Sequence, residues 1–565
     1  MHLNFFYLDM LRNASLIIVL LIFHYSGYTQ PMRAPLDIPL QLSGNFGELR
    51  TNHFHSGLDF KTQGRSGLPV FAVDDGYVTR INVSPYGYGR ALYIEHPDGI
   101  TSVYAHLDRY SPAIEAFVED NQYREKKFRV DLYPTPDRFP VKKGQVVAYS
   151  GNTGSSGGPH LHFEIRDTKT EEILDPLFYF TDRLSDTRPP KIQEIMVYPM
   201  EGKGIVNGSS TKVKIPIKVE QNGNVTMSNI EAWGTIGLAV KAYDYMDGTS
   251  NIYGVKYIRL EVGRVEIFTM DMSRFSFSES RYLNSYIDWD EWTYNKAFFM
   301  KSFIEPGNLL RASKAEDQGW VTIDEEGIYK VVYRLGDVFG NFANFEFYIL
   351  GKKQDIPEFR PRGTRYAYNR DNIIEVDGVR LEIPKGNLYT DIYFTYSRKD
   401  QHTPFASLYS LHKRMPLHDY CPLRIPIAQD TFRDKSKYGI ISVTNGKVSW
   451  IGGRYENGYM QATIRELGAF SVDVDTTPPV ITAQNQVNWK KSGIITFKIT
   501  DNLSGIQDWH ATIGGEFVLF EYDAKSNSLF YKISGGRVKS TAGKKLQLTV
   551  TDGVGNSTNS TFVLP

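Results

Sequence analysis

The stretch Gly151-Asn-Thr-Gly-Ser-Ser-Gly-Gly-Pro-His-Leu-His-Phe-Glu164 decides how the first part of this chain folds. Its glycines and its proline precede a run in which polar and apolar residues alternate, so it predicts a tight turn that leads into a β-strand. Residues i and i+2 of a strand point to the same face of a sheet. His160 and His162 are therefore expected to project side by side at the start of this strand.

Two motifs upstream carry side chains of the same chemistry. Asn52-His-Phe-His-Ser-Gly-Leu-Asp59 places His55 and Asp59 four residues apart, and Tyr104-Ala-His106 is another i, i+2 pair. A catalytic zinc ion commonly takes three protein ligands from histidines and carboxylates and keeps a fourth position for water. One histidine of the downstream pair can then bind the metal while the other addresses the bound water.

Taken in order, these motifs resemble those of the lysostaphin/LytM-type zinc metallopeptidases. Val141-Lys-Lys-Gly-Gln-Val-Val-Ala-Tyr-Ser-Gly151 is similar to that family's strand and turn before its histidine pair, and the resemblance covers roughly residues 45–180. It implies a compact antiparallel β-sheet domain with Zn²⁺ in a groove. It also implies that the substrate is a peptide of bacterial peptidoglycan.

The resemblance further implies a role for each motif residue. By this likeness the zinc ligands are His55, Asp59 and His162, and the catalytic histidines that flank the water are His106 and His160.

Three neighbouring side chains leave alternatives open. His53 lies two residues from His55 but lacks the four-residue spacing to Asp59, so a supporting or structural role is expected. Tyr104 either lines the groove or is a buried structural residue. Glu164 either orients a ligand histidine or makes a structural hydrogen bond or ion pair.

An insertion over roughly residues 111–140 departs from the simplest members of the family. It contains a predicted short helix near 113–122 and the phrase Tyr133-Pro-Thr-Pro136. This insertion is a candidate for a groove wall that selects which cross-link enters.

The N-terminus is typical of an export signal. Arg12 precedes the apolar run 14–23, and a polar stretch follows over 24–30. The run is shorter than the roughly 20 residues that a membrane-spanning helix needs. Residues 1–30 are therefore predicted to be a signal peptide cleaved near 27–30, with retention as an anchor as the alternative. The mature protein is expected in the periplasm, outside the cell or at the cell envelope, without a membrane span.

Composition limits the chemistry that is available. Lys and Arg together number 64, as do Asp and Glu, and this balance argues against nucleic acid as the main partner. Cys421 is the only cysteine, so no intrachain disulfide and no cysteine-rich zinc site can form. His412 and His418 stand near Cys421, but their spacing matches no standard metal site.

Most of the 565 residues form short alternating runs separated by Gly, Asp, Asn and Pro, which is typical of β-sandwiches and barrels. Asp186-Thr-Arg-Pro-Pro190 and Asp475-Thr-Thr-Pro-Pro479 repeat a linker phrase. Asp337-Val-Phe-Gly-Asn341 and Asp552-Gly-Val-Gly-Asn556 repeat a hairpin-turn phrase. The predicted fold class is mainly β, with an antiparallel metallopeptidase domain followed by two or three β-sandwich domains.

The same phrases predict the domain boundaries. After the signal peptide come a metallopeptidase domain at 31–185, a β-sandwich at 186–355, a β-rich domain of no assigned family at 356–474 and a final domain at 475–565. The final domain resembles bacterial immunoglobulin-like repeats.

The sequence therefore predicts an exported zinc metalloendopeptidase that hydrolyses peptide cross-links of peptidoglycan with a metal-activated water. Two alternatives stay open: a non-catalytic regulator or scaffold of cell-wall enzymes, and a peptidase that acts on another Gly-rich or wall-associated substrate. The β-sandwich modules are candidate binding surfaces for wall or envelope proteins.

Overall fold

The computed structural model describes residues 32–219, 225–538 and 541–564. The predicted signal peptide lies outside the described residues. Within them, none of the helices has the length and apolar character needed to cross a bilayer. Strands make up most of the regular structure, which confirms the predicted mainly-β fold class.

An antiparallel sheet forms the centre of the first domain. The strands of this domain are β1 (Leu42–Gly44), β2 (Leu49–Arg50), β3 (His53–Phe54), β4 (Leu58–Lys61), β5 (Pro69–Phe71), β6 (Gly76–Val83), β7 (Arg90–Glu95), β8 (Ile100–Ala105), β9 (Arg109–Tyr110), β10 (Val130–Leu132), β11 (Pro140–Val141), β12 (Val146–Tyr149), β13 (His160–Asp167) and β14 (Ile173–Leu174). The strand order in the main sheet is β1-β4-β13-β8-β7-β6-β10. Strand β13 thus lies between β4 and β8.

The alternation of β13 separates its two faces. Leu161, Phe163 and Ile165 are fully buried in the core on one face, where Phe163 contacts the rings of Tyr104 and Phe180. The histidines of the strand occupy the intervening positions and therefore point to the opposite face. The hydrophobic half of the strand holds it in the core and fixes the register of the histidines.

Helix α1 (Pro112–Glu125) forms most of the insertion, close to the range predicted for a short helix. Pro112 at the first turn suits a helix start, and Lys126 in the left-handed conformation ends it. The insertion packs against the last domain through ring contacts of Tyr123 with Phe517 and of Phe128 with Trp509. None of its described residues lines the cavity beside the histidines, so a role as a groove wall stays a prediction.

The second domain is joined to the first by a continuous core and a continuous sheet. Its strands are β15 (Lys191–Val206), β16 (Val213–Val219), β17 (Val225–Met227), β18 (Ile230–Tyr245), β19 (Ile252–Tyr253), β20 (Tyr257–Val262), β21 (Val265–Asp271), β22 (Arg274–Phe275), β23 (Met300–Lys301), β24 (Ser313–Ala315), β25 (Val321–Ile323), β26 (Gly327–Gly336) and β27 (Phe342–Gly351), and its helices are α2 (Leu283–Tyr286) and α3 (Trp289–Asn295). Strand β22 pairs with β14 of the first domain. One hydrophobic cluster extends through both domains.

The third and fourth domains have cores of their own. The strands of the third are β28 (Thr364–Tyr366), β29 (Asn372–Val376), β30 (Val379–Ile383), β31 (Ile392–Phe394), β32 (Tyr396–Lys399), β33 (Leu408–Pro426), β34 (Tyr438–Thr444), β35 (Lys447–Gly452), β36 (Arg454–Glu456) and β37 (Tyr459–Val474). Those of the fourth are β38 (Val480–Gln484), β39 (Ile494–Thr500), β40 (Ile506–Ile513), β41 (Glu516–Phe517), β42 (Glu521–Asp523), β43 (Ser528–Lys532), β44 (Lys545–Asp552) and β45 (Ser557–Val563), with helix α4 (Trp489–Ser492). In the fourth domain two four-stranded sheets enclose one core, as a sandwich requires.

Truncation of Leu161 should destabilise the first domain while leaving the histidines of β13 in place. Leu161→Ala removes a fully buried side chain, and such changes cost about 2–5 kcal/mol. We expect the urea midpoint at which this shared core unfolds to shift to a lower concentration. Leu309→Ala is the matched control, because Leu309 is 67% exposed and its loss should change stability by less than about 0.5 kcal/mol. Equal shifts for both variants would contradict this account of the core.

Candidate metal centre

Two buried histidines and one buried aspartate converge beside strand β13. In the register of the sheet, His162 lies opposite Asp59 on β4, and His55 stands in the turn before β4. His162 Nδ1 lies 2.9 Å from Asp59 Oδ1 and 3.0 Å from His55 Nε2, and His55 Nε2 lies 3.1 Å from Asp59 Oδ1. Two imidazole nitrogens and one carboxylate oxygen are a donor set that suits a catalytic zinc ion. The three predicted ligands therefore fit one metal ion.

The other ring nitrogen of each histidine is held by the protein. His55 Nδ1 lies 2.7 Å from the carbonyl oxygen of Asn45, and His162 Nε2 lies 2.9 Å from Glu164 Oε1. If each of these nitrogens donates its N–H, His55 Nε2 and His162 Nδ1 keep their lone pairs for the centre. Glu164 is therefore placed to orient His162, which is one of the two roles that the sequence left open.

Glu164 is itself held in place by four hydrogen bonds. Its Oε1 accepts from Tyr88 and Ser56 at 2.5 Å each, and its Oε2 accepts from Arg166 Nε and Nη2 at 2.8 and 2.6 Å. The Arg166 guanidinium compensates the burial of this carboxylate, whose side chain is fully buried. Sequence reasoning missed Arg166, although its i, i+2 spacing from Glu164 on β13 is a usable signal.

Burial and charge set the protonation of the three converging residues. Burial lowers the pKa of His55 to about 4, although Asp59 acts in the opposite direction. Burial alone would also lower the pKa of His162, but hydrogen bonds and charges from Asp59 and Glu164 raise it to about 9. Burial would raise the pKa of Asp59, yet the neighbouring histidines hold it well below its usual range. His162 thus carries a proton between two carboxylates at neutral pH, and a bound cation would take the place of that proton.

The other two motif histidines stand beside this group. The rings of His106 and His160 have centroids 4.8 Å apart, and His160 Nε2 lies 3.3 Å from Asp59 Oδ1. His106 Nδ1 lies 2.9 Å from the carbonyl oxygen of Thr153, and His160 Nδ1 lies 2.8 Å from that of Gly158. Burial lowers the pKa of His106 to about 3, with further lowering by His162 and His160. His106 is therefore neutral at physiological pH.

His106 follows β8 with a φ of +58°, a conformation that is uncommon for a residue with a side chain. The hydrogen bond to Thr153 O and the bond from His106 N–H to Tyr88 O accompany this conformation. Such local strain is often found at functional sites.

An open groove of about 600 Å³ runs past the centre. It is lined by Asp59, His106 and His160 and by the small residues of the loop 155–158. Arg50 also lines it, and Arg50 Nη2 lies 2.5 Å from Asp59 Oδ2, the oxygen that faces away from His162. Arg50 was missed in the sequence because it belongs to no motif.

The structure also places His53 and Tyr104, the two other residues whose roles the sequence left open. His53 is exposed and its Nδ1 contacts Thr51 O, so it does not join the centre. Tyr104 is fully buried, and its hydroxyl accepts a hydrogen bond from the backbone N–H of Val73. Tyr104 is thus a core residue and does not line the groove.

Comparisons with known proteins agree with this geometry. Residues 53–123 and 137–176 match the model of Peptidase family M23. This part of the chain is therefore an M23 peptidase domain, which confirms the family resemblance. Residues 364–475 match a Zu5-like domain, in the segment to which the sequence assigned no family.

Two curated relatives match about a fifth to a quarter of this chain. The DD-carboxypeptidase/endopeptidase Mpg of Neisseria meningitidis is 35% identical over 118 residues, which cover 21% of this chain and 21% of that protein. The peptidoglycan DD-endopeptidase ShyA of Vibrio cholerae is 30% identical over 139 residues, which cover 24% of this chain and 26% of that protein. The chain thus spans about a fifth to a quarter of the length of these relatives.

The solved catalytic domain of lysostaphin from Staphylococcus simulans is 25% identical to this chain. The match covers 25% of this chain and 93% of that domain, with a TM-score of 0.19.

Removal of the negative charge behind His162 should weaken metal binding. In Glu164→Gln the carboxylate that orients His162 Nε2 is lost, and such changes typically cost about 10–100-fold in metal affinity. Competition for zinc with a chromophoric chelator measures the change. Glu171→Gln is the matched control, because Glu171 also contacts Arg166 but is exposed. Equal affinity in both variants, with both proteins folded by circular dichroism, would contradict the orienting role of Glu164.

Proposed function

We propose that this chain is an exported zinc metalloendopeptidase that hydrolyses peptide cross-links of bacterial peptidoglycan. The convergence of His55, Asp59 and His162 beside an open groove carries the proposal. The M23 match adds support, as do relatives that are themselves named peptidoglycan DD-endopeptidases. Export is supported by the predicted signal peptide, and we place the enzyme at the cell envelope, in the periplasm or outside the cell.

Each residue of the centre has a defined task in this proposal. His55, Asp59 and His162 would hold the zinc ion, which would supply a Lewis acid to acidify a water molecule and polarise the scissile carbonyl group. His106 and His160 flank the groove side of the ligands, where a neutral imidazole can accept the proton that the water loses. The protonated form can then stabilise the negative charge that develops on the carbonyl oxygen.

The groove suits an extended peptide. Ser155, Ser156, Gly157 and Gly158 present little side-chain bulk, and a Cβ added at either glycine would meet open space. A peptide backbone can therefore approach the loop closely. Arg50 is about one-third exposed and adds a guanidinium that can bind a substrate carboxylate.

The complete set of ligands favours an enzyme over a non-catalytic scaffold. A scaffold needs no buried histidine whose second nitrogen is fixed by a carboxylate, and none of the five site positions is replaced by an inert residue. Binding of envelope proteins by the β-domains remains compatible with this activity.

Loss of one ligand histidine should abolish both metal content and hydrolysis. Purified residues 31–565 should cleave defined cross-linked muropeptides, and mass spectrometry of the products identifies the bond that is cut. His162→Ala should retain less than about 1% of the activity, since removal of a ligand disrupts the centre. His53→Ala is the matched control and should keep both zinc and activity. Full activity in His162→Ala would contradict the proposal. Zinc binding by the wild-type protein without cleavage of the muropeptides would favour the scaffold or another substrate.

Replacement of His106 should separate catalysis from metal binding. His106→Ala removes a proton acceptor but no ligand, so we expect kcat to fall by about 10²–10⁴-fold while zinc content stays at the wild-type level. KM for the same muropeptide should change far less than kcat. Loss of zinc together with activity would instead assign His106 to the structural support of the centre.

A further inference from the structure

Three buried aspartates meet at the start of the second domain. Asp186 opens the linker 186–190, Asp244 lies on β18, and Asp337 follows β26. Their exposed fractions are 8%, 5% and 4%. One carboxylate oxygen from each lies within 4.8 Å of the other two. The linker and the two strands therefore bring three carboxylates to one point.

Two oxygens of this group lack the partners that buried carboxylates require. Asp186 Oδ2 and Asp244 Oδ1 have no hydrogen-bond partner among the described residues. Two nearby cationic groups are engaged elsewhere: Lys256 Nζ lies 2.5 Å from Asp175 Oδ2, and Arg188 donates to the carbonyl oxygen of Met246. Burial of unpaired charge is costly, so the group needs a cation or protons.

Two of the three aspartates have pKa values above the usual range of a carboxyl group. Burial and the neighbouring aspartates raise the pKa of Asp244 to about 8 and that of Asp186 to about 6.

A small cavity lies among these aspartates. Its volume is about 10 Å³, and its lining includes all three carboxylate residues together with Asn45 and Phe46 of the first domain. That is about the space of a single water-sized sphere. The cavity therefore admits one ion but not an ion with its hydration shell.

The fourth domain contains the same arrangement. Asp475, Asp501 and Asp552 also bring one carboxylate oxygen each within 4.8 Å of the others. Asp475 and Asp552 are almost fully buried and Asp501 is partly buried, and Asp501 Oδ1 has no hydrogen-bond partner among the described residues. Neither group forms part of the candidate metal centre of the first domain.

The supporting hydrogen bonds repeat as well. Asn341 Nδ2 donates to Asp186 O and to Asp337 Oδ2 at 3.0 and 2.8 Å. In the fourth domain, Asn556 Nδ2 donates to Asp475 O and to Asp552 Oδ2 at 3.1 and 2.7 Å. The repeated linker and turn phrases of the sequence thus build the same three-carboxylate group twice.

We propose that each of these two groups binds one calcium ion, through Asp186, Asp244 and Asp337 and through Asp475, Asp501 and Asp552. Hard carboxylate oxygens suit Ca²⁺, whereas Zn²⁺ sites usually include nitrogen or sulfur ligands. Mg²⁺ usually keeps several waters, for which the first cavity has no room. Each bound ion ties the linker that enters a β-domain to two strands of that domain.

Asn45 connects the first proposed calcium site with the candidate zinc centre. Asn45 lines its cavity, and the side chain of Asn45 exchanges two hydrogen bonds with the backbone of Gly254 in the second domain. The carbonyl oxygen of the same Asn45 contacts His55 Nδ1. This link from calcium to His55 rests on the proposed function, but the binding of calcium does not.

Calcium stoichiometry tests the proposal on the full chain. Protein dialysed into calcium-free, zinc-containing buffer is equilibrated with about 1 mM CaCl₂, within the affinity range of extracellular calcium modules. We expect two Ca²⁺ per wild-type chain and one in each of Asp244→Asn and Asp501→Asn. Asp324→Asn is the matched control, because Asp324 is exposed and lies outside both groups, and it should bind two.

Thermal unfolding provides a readout that a purely structural aspartate would not give. Calcium should raise the melting temperature of the wild-type protein by at least about 2 °C. In calcium-free buffer Asp244→Asn should melt no lower than wild type, because a neutral amide replaces a buried carboxyl group that then has no cation to pair with, and calcium should stabilise it less. Absence of bound calcium in the wild type, or equal stoichiometry in all variants, would overturn the proposal.

Two further measurements distinguish calcium from magnesium and separate the calcium proposal from the zinc-peptidase proposal. Equal occupancy and stabilisation by MgCl₂ would overturn the assignment to calcium. His162→Ala should still bind two Ca²⁺, so a failure of the zinc-peptidase proposal leaves the calcium result interpretable. Loss of calcium in Asp244→Asn but not in Asp501→Asn would support the first site and overturn the second.

Discussion

The pairing of β13 with β4 on one side and β8 on the other is the constraint on which the candidate centre depends. This register places His162 opposite both Asp59 and Ala105, the residue before His106. Three motifs that are far apart in the sequence become neighbours through backbone hydrogen bonds. The buried side of β13 holds that register, because a slip by one residue would turn its apolar side chains away from the core.

Behind the groove, His162, Glu164 and Arg166 are buried, so their polar groups must be satisfied by other protein groups. Arg166 neutralises Glu164, and Glu164 fixes the ring of His162. The same chain of hydrogen bonds therefore compensates the charge of Glu164 and orients the imidazole of His162. Loss of either Arg166 or Glu164 alone would leave a buried charge unpaired, which costs several kcal/mol of stability. The complete network explains how a charged centre can persist within a β-sheet core.

The sequence was most informative where function and local pattern coincide. The alternation around His160 and His162 predicted both a strand and the side of the sheet on which the histidines lie. The motif order identified the peptidase domain, and the Gly, Asp and Pro phrases predicted a series of β-domains. Local pattern alone could not place Arg50 or Asn45, because their contacts join residues that no periodic signal links.

The insertion at 111–140 shows a different limit. Its helix was predicted, but its partner was not, because docking on the last domain depends on ring contacts between residues nearly 400 positions apart in the chain. The repeated phrases with Asp337 and Asp552 were likewise interpreted as turns. They are turns, but the additional carboxylates from Asp244 and Asp501 become visible only when the strands are folded together.

Docking of the last domain also reaches the loop that precedes β13. Buried Arg90 forms ion pairs with Glu115 of helix α1 and with Glu521 of the last domain, at 3.0 and 3.1 Å. The backbone N–H of Arg90 donates to Thr153 Oγ1, and the carbonyl oxygen of Thr153 contacts His106 Nδ1. A continuous set of contacts therefore joins the last domain to a candidate catalytic histidine. Each contact in this set is buried or partly buried, so the last domain packs against residues that also contact the loop 151–158.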